Sequence, residues 1–235
     1  NAAGANVTFS STLTGTTNSV ENLTINAGSG GGITFKDTVG TIRLGDVSIS
    51  QARDVTVQSS FNAKTLTQSQ GATGAPSTTP SLGTTTINGA VNTTGNTSLA
   101  TSGALNVTGA GSITTGAGSS MTLTSGNDMT LSGSVTAPAG ATLNVKGTDG
   151  ILTQNGGTLA TTDSAVALIA DEMVLKSAIN SGSGGVTLKP NNTAGAIQLG
   201  VATAATNNAA ATLELANGEL NTITTTGGLT VGAAN

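Results

Sequence analysis

A three-residue phrase, apolar-Thr-apolar, returns along this chain, separated each time by residues rich in Gly, Ser, Asn or Ala. It reads Val7-Thr8-Phe9, Leu23-Thr24-Ile25, Ile33-Thr34-Phe35, Val55-Thr56-Val57, Met121-Thr122-Leu123, Met129-Thr130-Leu131, Val186-Thr187-Leu188 and Leu229-Thr230-Val231. Each phrase is a very short strand whose outer two side chains share one face while the Thr points to the other. Many such strands without long ones point to a solenoid, in which each coil covers the edge of the coil beneath.

The spacing gives the coil. Leu105, Ile113, Met121 and Met129 fall at a constant step, and Val135, Leu143, Ile151 and Leu159 resume it after one shortened interval. Three steps make a coil of about 24 residues, the size expected of three short strands, so the period predicts a three-sided parallel β-helix. The only aromatics, Phe9, Phe35 and Phe61, are each 26 residues apart, which predicts rings stacked in successive coils. Leu23-Thr24-Ile25 and Val47-Ser48-Ile49 are predicted vertical neighbours. The whole chain divides into about ten coils and a rod roughly 50 Å long at the parallel-strand spacing.

Glycine clusters such as Gly28 to Gly32, Gly109 with Gly111, Gly156-Gly157 and Gly182 to Gly185 lie between strand phrases and read as corners. Residues 68–83, with Pro76 and Pro80 amid Ser and Thr, lose the apolar beat; they read as a loop bulging from a single solenoid spanning 1–235, a linker between two rods being the rival reading. From Asn207 to Leu220 a helical face competes with the strand Leu213-Glu214-Leu215; strand is favoured, with a helical turn near Gly218 to Leu220.

Charged residues make up only 8% of the chain and the net charge is -4. The seven cations are scattered, so no basic stripe exists to neutralise a phosphate backbone, and nucleic acid is not an expected partner. Cys, His, Trp and Tyr are absent, which removes His and Cys metal sites and fits a secreted bacterial surface protein built without disulfides. No apolar run is long enough for a transmembrane segment. The opening Asn1-Ala2-Ala3-Gly4 has neither a methionine nor a basic-then-apolar leader, and reads as an interior piece of a longer chain.

A parallel β-helix can also carry polysaccharide-cleaving chemistry, which needs convergent carboxylates or acids holding calcium beside a base. The densest charged group is Lys36, Asp37, Arg43, Asp46, Arg53 and Asp54. Asp46 and Asp54 with Arg53 would be the acid pair and its helper; surface ion pairs worth less than about 1 kcal/mol are the preferred reading, because the signs alternate. Asp171 and Glu172, as strand neighbours, should face opposite sides. Calcium repeats and phosphate-binding Gly loops are absent. No catalytic, cofactor-binding or metal residue is therefore assigned. Asn-X-Ser/Thr triplets at Asn6, Asn22, Asn92, Asn96, Asn106 and Asn191 are frequent by chance in so Asn- and Thr-rich a chain, and Asn6, Asn22 and Asn106 read as corner residues. Paired Thr-X-Thr faces that could match ice or a crystalline polysaccharide, as at Thr12-Leu13-Thr14, Thr65-Leu66-Thr67 and Thr122 with Thr124, do not recur at coil spacing.

The segments Ala165-Val166-Ala167-Leu168-Ile169-Ala170-Asp171-Glu172-Met173-Val174-Leu175, Gly184-Gly185-Val186-Thr187-Leu188-Lys189-Pro190, Ala196-Ile197-Gln198-Leu199-Gly200, Glu219-Leu220-Asn221-Thr222-Ile223 and Gly228-Leu229-Thr230-Val231-Gly232 resemble repeats of filamentous-haemagglutinin-type giant bacterial surface proteins. The N-terminal phrases are similar to other repeats of that family. The resemblance implies a right-handed parallel β-helix, export to the bacterial cell surface, and roles in adhesion, aggregation or biofilm. Copies of the same giant protein, a host or neighbouring cell surface, or an extracellular polysaccharide would be the partners. A glycan-binding module along one face is the second expectation and a lyase or hydrolase the third.

Overall fold

The computed structural model describes residues 4–69, 83–192, 195–201 and 212–232. In chain order the first levels are Val7–Phe9 (β1) and Leu23–Asn26 (β2); Ile33–Phe35 (β3) and Val39–Gln51 (β4); Val55–Val57 (β5) and Phe61–Gln68 (β6). The next are Thr85–Ile87 (β7), Ala90–Thr93 (β8) and Thr97–Thr101 (β9), then Leu105–Val107 (β10), Ser112–Thr114 (β11) and Met121–Ser125 (β12). Met129–Leu131 (β13), Ser134–Thr136 (β14) and Ala141–Val145 (β15) precede Ile151–Gln154 (β16), Leu159–Ala160 (β17) and Val166–Ile169 (β18). Glu172–Leu175 (β19), Ile179–Gly182 (β20) and Val186–Lys189 (β21) complete the regular stack. Ala196–Val201 (β22), Thr212–Ala216 (β23), the helical turn Asn217–Leu220 (α1), Ile223–Thr225 (β24) and Leu229–Val231 (β25) follow.

These strands stack in parallel as a solenoid of about 7 turns, each about 23 residues from the next. The first face is an 8-stranded sheet running from β1 to β19. The second and third faces form a 15-stranded sheet, because β4 and β6 turn the corner between them without breaking. Leu13, bridged to Val39, supplies the second face of the lowest level. The turns are fewer than the length suggested: the first face advances only 34 Å or so over its seven steps at the parallel spacing. Gln68 belongs to β6 and Gly83 opens the next coil; residues 70–82, where most of the expected loop falls, lie outside the described residues.

The inward positions form one continuous core from Ile25 to Leu215. Leu105 pairs with Met129 and Ile113 with Val135, as the step with its shortened interval predicts, and Leu23 lies opposite Val47. Met121 pairs with Ala141 and not with Leu143, which lies over Leu123. A second position slips by one residue. Leu152, not Ile151, continues the inward row above Met129, because the turn before it takes an extra residue through Asp149 at φ 55°. The aromatic ladder is also shorter than expected. Phe9 and Phe35 stack with centroids 4.9 Å apart, but Phe61 lies on the second face between Val39 and Val91 and meets Phe35 edge-on across the bore. Coil lengths are unequal, so a fixed interval does not guarantee the same face.

Two devices turn the corners. Between the first and second faces Gly111, Gly133 and Gly157 lie over one another so closely that a Cβ on Gly133 would sit 1.8 Å from the Gly111 carbonyl. Only glycine permits that approach. Between the second and third faces the turn is closed from inside by a hydroxyl: Thr115 donates to the Ser119 carbonyl, Thr161 to that of Ser164 and Ser181 to that of Gly184. A buried polar side chain is tolerable there because it satisfies a corner carbonyl.

Candidate functional site

The acidic side chains act largely as staples between coils. The Ile151 N–H donates to Asp128, Ser183 N–H to Asp163, Thr84 N–H to Asp54 and Asn192 N–H to Asp171, over 2.7 to 3.0 Å. Asparagines do the same: Gly32 N–H donates to Asn6 Oδ1, Asp46 N–H to Asn22 and Ser120 N–H to Asn96. Most of these amides lie at corners between strands, while those of Ile151 and Asp46 lie within β16 and β4. A side-chain oxygen at the corner supplies the missing acceptor. Asn6 and Asn22 are thus corner residues as expected. Asn106 is not: it lies in mid-strand, outward, between Thr86 and Thr130.

The expected charged group does not converge: it contains one ion pair, and Asp46 pairs with Lys64 outside it. Arg53 contacts Asp54 at 2.6 Å, and Lys64 lies 3.6 Å from Asp46, which also accepts from the Thr65 hydroxyl. Arg43 donates instead to the carbonyls of Ala63 and Asn92, holding two levels together. Lys36 has no partner in either pair, and Asp37 accepts from Thr12 and from the N–H of Thr38. Asp171 and Glu172 are both buried, Asp171 at the corner and Glu172 on β19 opposite Ile151. No cluster of three or more potential metal-ligating side chains occurs among the described residues.

Two carboxyls titrate below their ordinary range. Glu21 is lowered first by the Thr16 hydroxyl donating to it and then by backbone N–H groups, and Asp163 by the Ser183 backbone N–H. Both lie at corners; the Asp163 shift reports a hydrogen bond between coils, whereas that of Glu21 reports bonds within its own corner, from the Thr16 hydroxyl and the Thr17 N–H.

The outer faces are where unengaged chemistry accumulates. On the first face Thr8, Thr34, Thr56, Thr86, Asn106, Thr130 and Thr153 stand directly over one another, ending at Val174. On the third face Thr24, Ser48, Thr67, Ser98, Thr122, Thr142, Ala167, Thr187 and Thr230 do likewise. The hydroxyls of these rows hold no hydrogen bond to the described protein, whereas the corner hydroxyls inside the bore do. Paired Thr-X-Thr faces do not recur, but single rows at coil spacing do, with one Thr or Ser per strand; Thr124, next but one to exposed Thr122, is almost fully buried. A shallow polar groove of about 400 Å³ runs along the lower part of the first face, between this row and the corner formed by Asn6, Asp54 and Thr84.

No helix among the described residues is long and apolar enough to cross a membrane. No family model, curated protein or solved structure matches the chain.

Proposed function

We propose that this chain is a rod segment of a large secreted bacterial surface protein of the filamentous-haemagglutinin type, working at the cell surface in adhesion or aggregation. The observation that carries this reading is how the polar groups are divided. Most acids are engaged in joining coil to coil, while the outer faces offer long rows of uncharged hydroxyls. A stiff, weakly charged rod with repetitive faces serves length and surface contact; chemistry would call for convergent acids and bases. The resemblance of the strand phrases to that family's repeats supports the same reading. Antibodies raised against the purified chain should label intact source cells; labelling that requires permeabilised cells contradicts the proposal.

A second reading, glycan binding along the first face, is favoured by the groove beside Thr8, Thr34, Thr56 and Thr86. It lacks an aromatic platform, since Phe35 and Phe61 are buried and Phe9 stacks on Phe35. Binding on a glycan array that is lost when Thr34 and Thr56 are replaced by Val would support it, and no binding to any glycan would remove it.

A further inference from the structure

On the second face, the four residues between Val39 and Leu44 of β4 stand against the single Asn62 of β6. Such a bulge bends the strand and re-aims its side chains. It begins at Gly40, at φ 74°, where a Cβ would lie 2.1 Å from the Asn62 carbonyl oxygen. The segment beneath fixes the rest. Thr41 and the Ile42 N–H both donate to the Thr14 hydroxyl oxygen, and the N–H groups of Gly15 and Ser19 donate to the carbonyls of Ile42 and Arg43. The bulge thus holds the Arg43 backbone outside the ladder.

The Arg43 side chain is half-buried and lies along the second face, donating through Nη1 to the Ala63 carbonyl at 3.0 Å and the Asn92 carbonyl at 2.8 Å, on β6 and β8. Those bonds use one nitrogen of three. The N–H of Nε and the two of Nη2 have no acceptor among the described residues, and no carboxylate pairs with the group, in contrast to Arg53 beside Asp54. Nε and Nη2 form a parallel edge of the kind that grips an oxyanion through two bonds at once. Joining the coils accounts for Nη1 alone.

Arg43 lines an open polar cavity of about 400 Å³ together with Asn18, Thr38, Thr41, Ser60 and Asn62. No acid and no apolar side chain lines it. Asn62 is fixed by donating to the Val39 and Gly40 carbonyls, whereas the Asn18 amide and the Ser60 hydroxyl hold no hydrogen bond to the described protein. We infer that this cavity binds an acidic saccharide unit, its carboxylate on Arg43 and its hydroxyls on Asn18 and Ser60. The unmatched cation selects an anion, and a wall of hydroxyls and amides without apolar surface suits a sugar ring over a lipid or an apolar peptide. The site is on a different face from the groove beside Thr34 and Thr56, and it acts wherever the rod is displayed, so its test is separate from that of the surface reading.

The test is titration of the full chain with a galacturonate oligomer, beside the neutral galactose oligomer of equal length, read by calorimetry and by the NMR signals of the arginine Nε–H groups. The Arg43 signal should move with the acidic oligomer and stay in place with the neutral one, and salt at about 1 M should weaken the binding. Asn18→Asp, at an exposed position, sets a competing carboxylate in the cavity wall and should weaken binding about tenfold or more while the chain melts as the parent does. Arg43→Lys keeps the charge without the fork and should weaken it by a similar factor. Thr34→Val with Thr56→Val, on the first face, should leave it unchanged. No binding of the acidic oligomer, equal binding of the neutral one, undiminished binding by Asn18→Asp or loss of binding in the first-face pair would each overturn the inference.

Discussion

From Thr85 to Lys189 every coil places three strands over the three beneath in the order the chain supplies them; beyond Lys189 the first face breaks that order, and the buried Glu219 carboxylate accepts N–H groups from both β19 and β23. In the middle, stability is shared among many equivalent elements: an inward aliphatic pair per strand, a glycine or hydroxyl at each corner, and side-chain staples between levels. At the end it is concentrated in Glu219, α1 and the two strands beside it. Damage in the middle should spread to both neighbouring coils, and damage at the end should stay local.

The largest effect should come from Leu123→Asp in the middle. Leu123 is fully buried between Leu99 and Leu143, so the change buries an unpaired charge and should cost more than about 3 kcal/mol. Limited proteolysis should give new cleavage on both sides of β12, and cleavage confined to one level would weaken the contrast. Glu219→Ala should come next, leaving two buried N–H groups without an acceptor at about 1 to 3 kcal/mol each. Hydrogen exchange should quicken at Leu175 and Ala216 while Leu123 stays protected.

Inside and outside should differ for the same chemical change. Thr115→Val removes the hydroxyl that closes a corner and should cost about 1 kcal/mol by denaturant titration, whereas Thr56→Val on the outer row should stay within about 0.5 kcal/mol of the parent. Equal losses would mean that the outer hydroxyls are engaged too. The smallest effect concerns acid. Asp163 has its folded pKa lowered by the Ser183 N–H, so its contribution is present above the ordinary carboxylate range and lost as pH falls through the lowered value. Thermal melts of wild type should decline slightly more below that range than those of Asp163→Asn, and identical profiles would show the staple to be neutral.

The repeating part of the fold was legible because burial on one side of a short strand leaves a local signature. Leu23 beneath Val47 and Leu105 beneath Met129 follow from it directly, and so do the strand Leu213-Glu214-Leu215 and the helical turn after it. Coil lengths were less legible, because a left-handed residue such as Asp149 adds to a turn without disturbing the apolar beat; hence Leu152 in place of Ile151 and Phe61 on a different face. The staples were hidden by chemistry that reads two ways: Asn6 and Asn22 belong to acceptor triplets by sequence and to corner hydrogen bonds in the fold. The outer rows were missed by seeking paired Thr where single Thr suffices. Ala196 to Gly200 entered only through its resemblance to family repeats; that this strand pairs with one later in the chain was not legible, since rung order is a property of the stack and not of any local segment.

The account rests on a single parallel stack with the Thr row of the first face running along its axis. Spin-label pairs joining Thr8 to Asn106, Thr130 or Thr153 test it most directly, because these residues lie four, five and six rungs apart on that row. Dipolar spectroscopy should give distances that rise linearly, near 19, 24 and 29 Å at about 4.8 Å per rung. Distances that fail to increase in that order, or that shorten from Asn106 to Thr153, would contradict the solenoid itself.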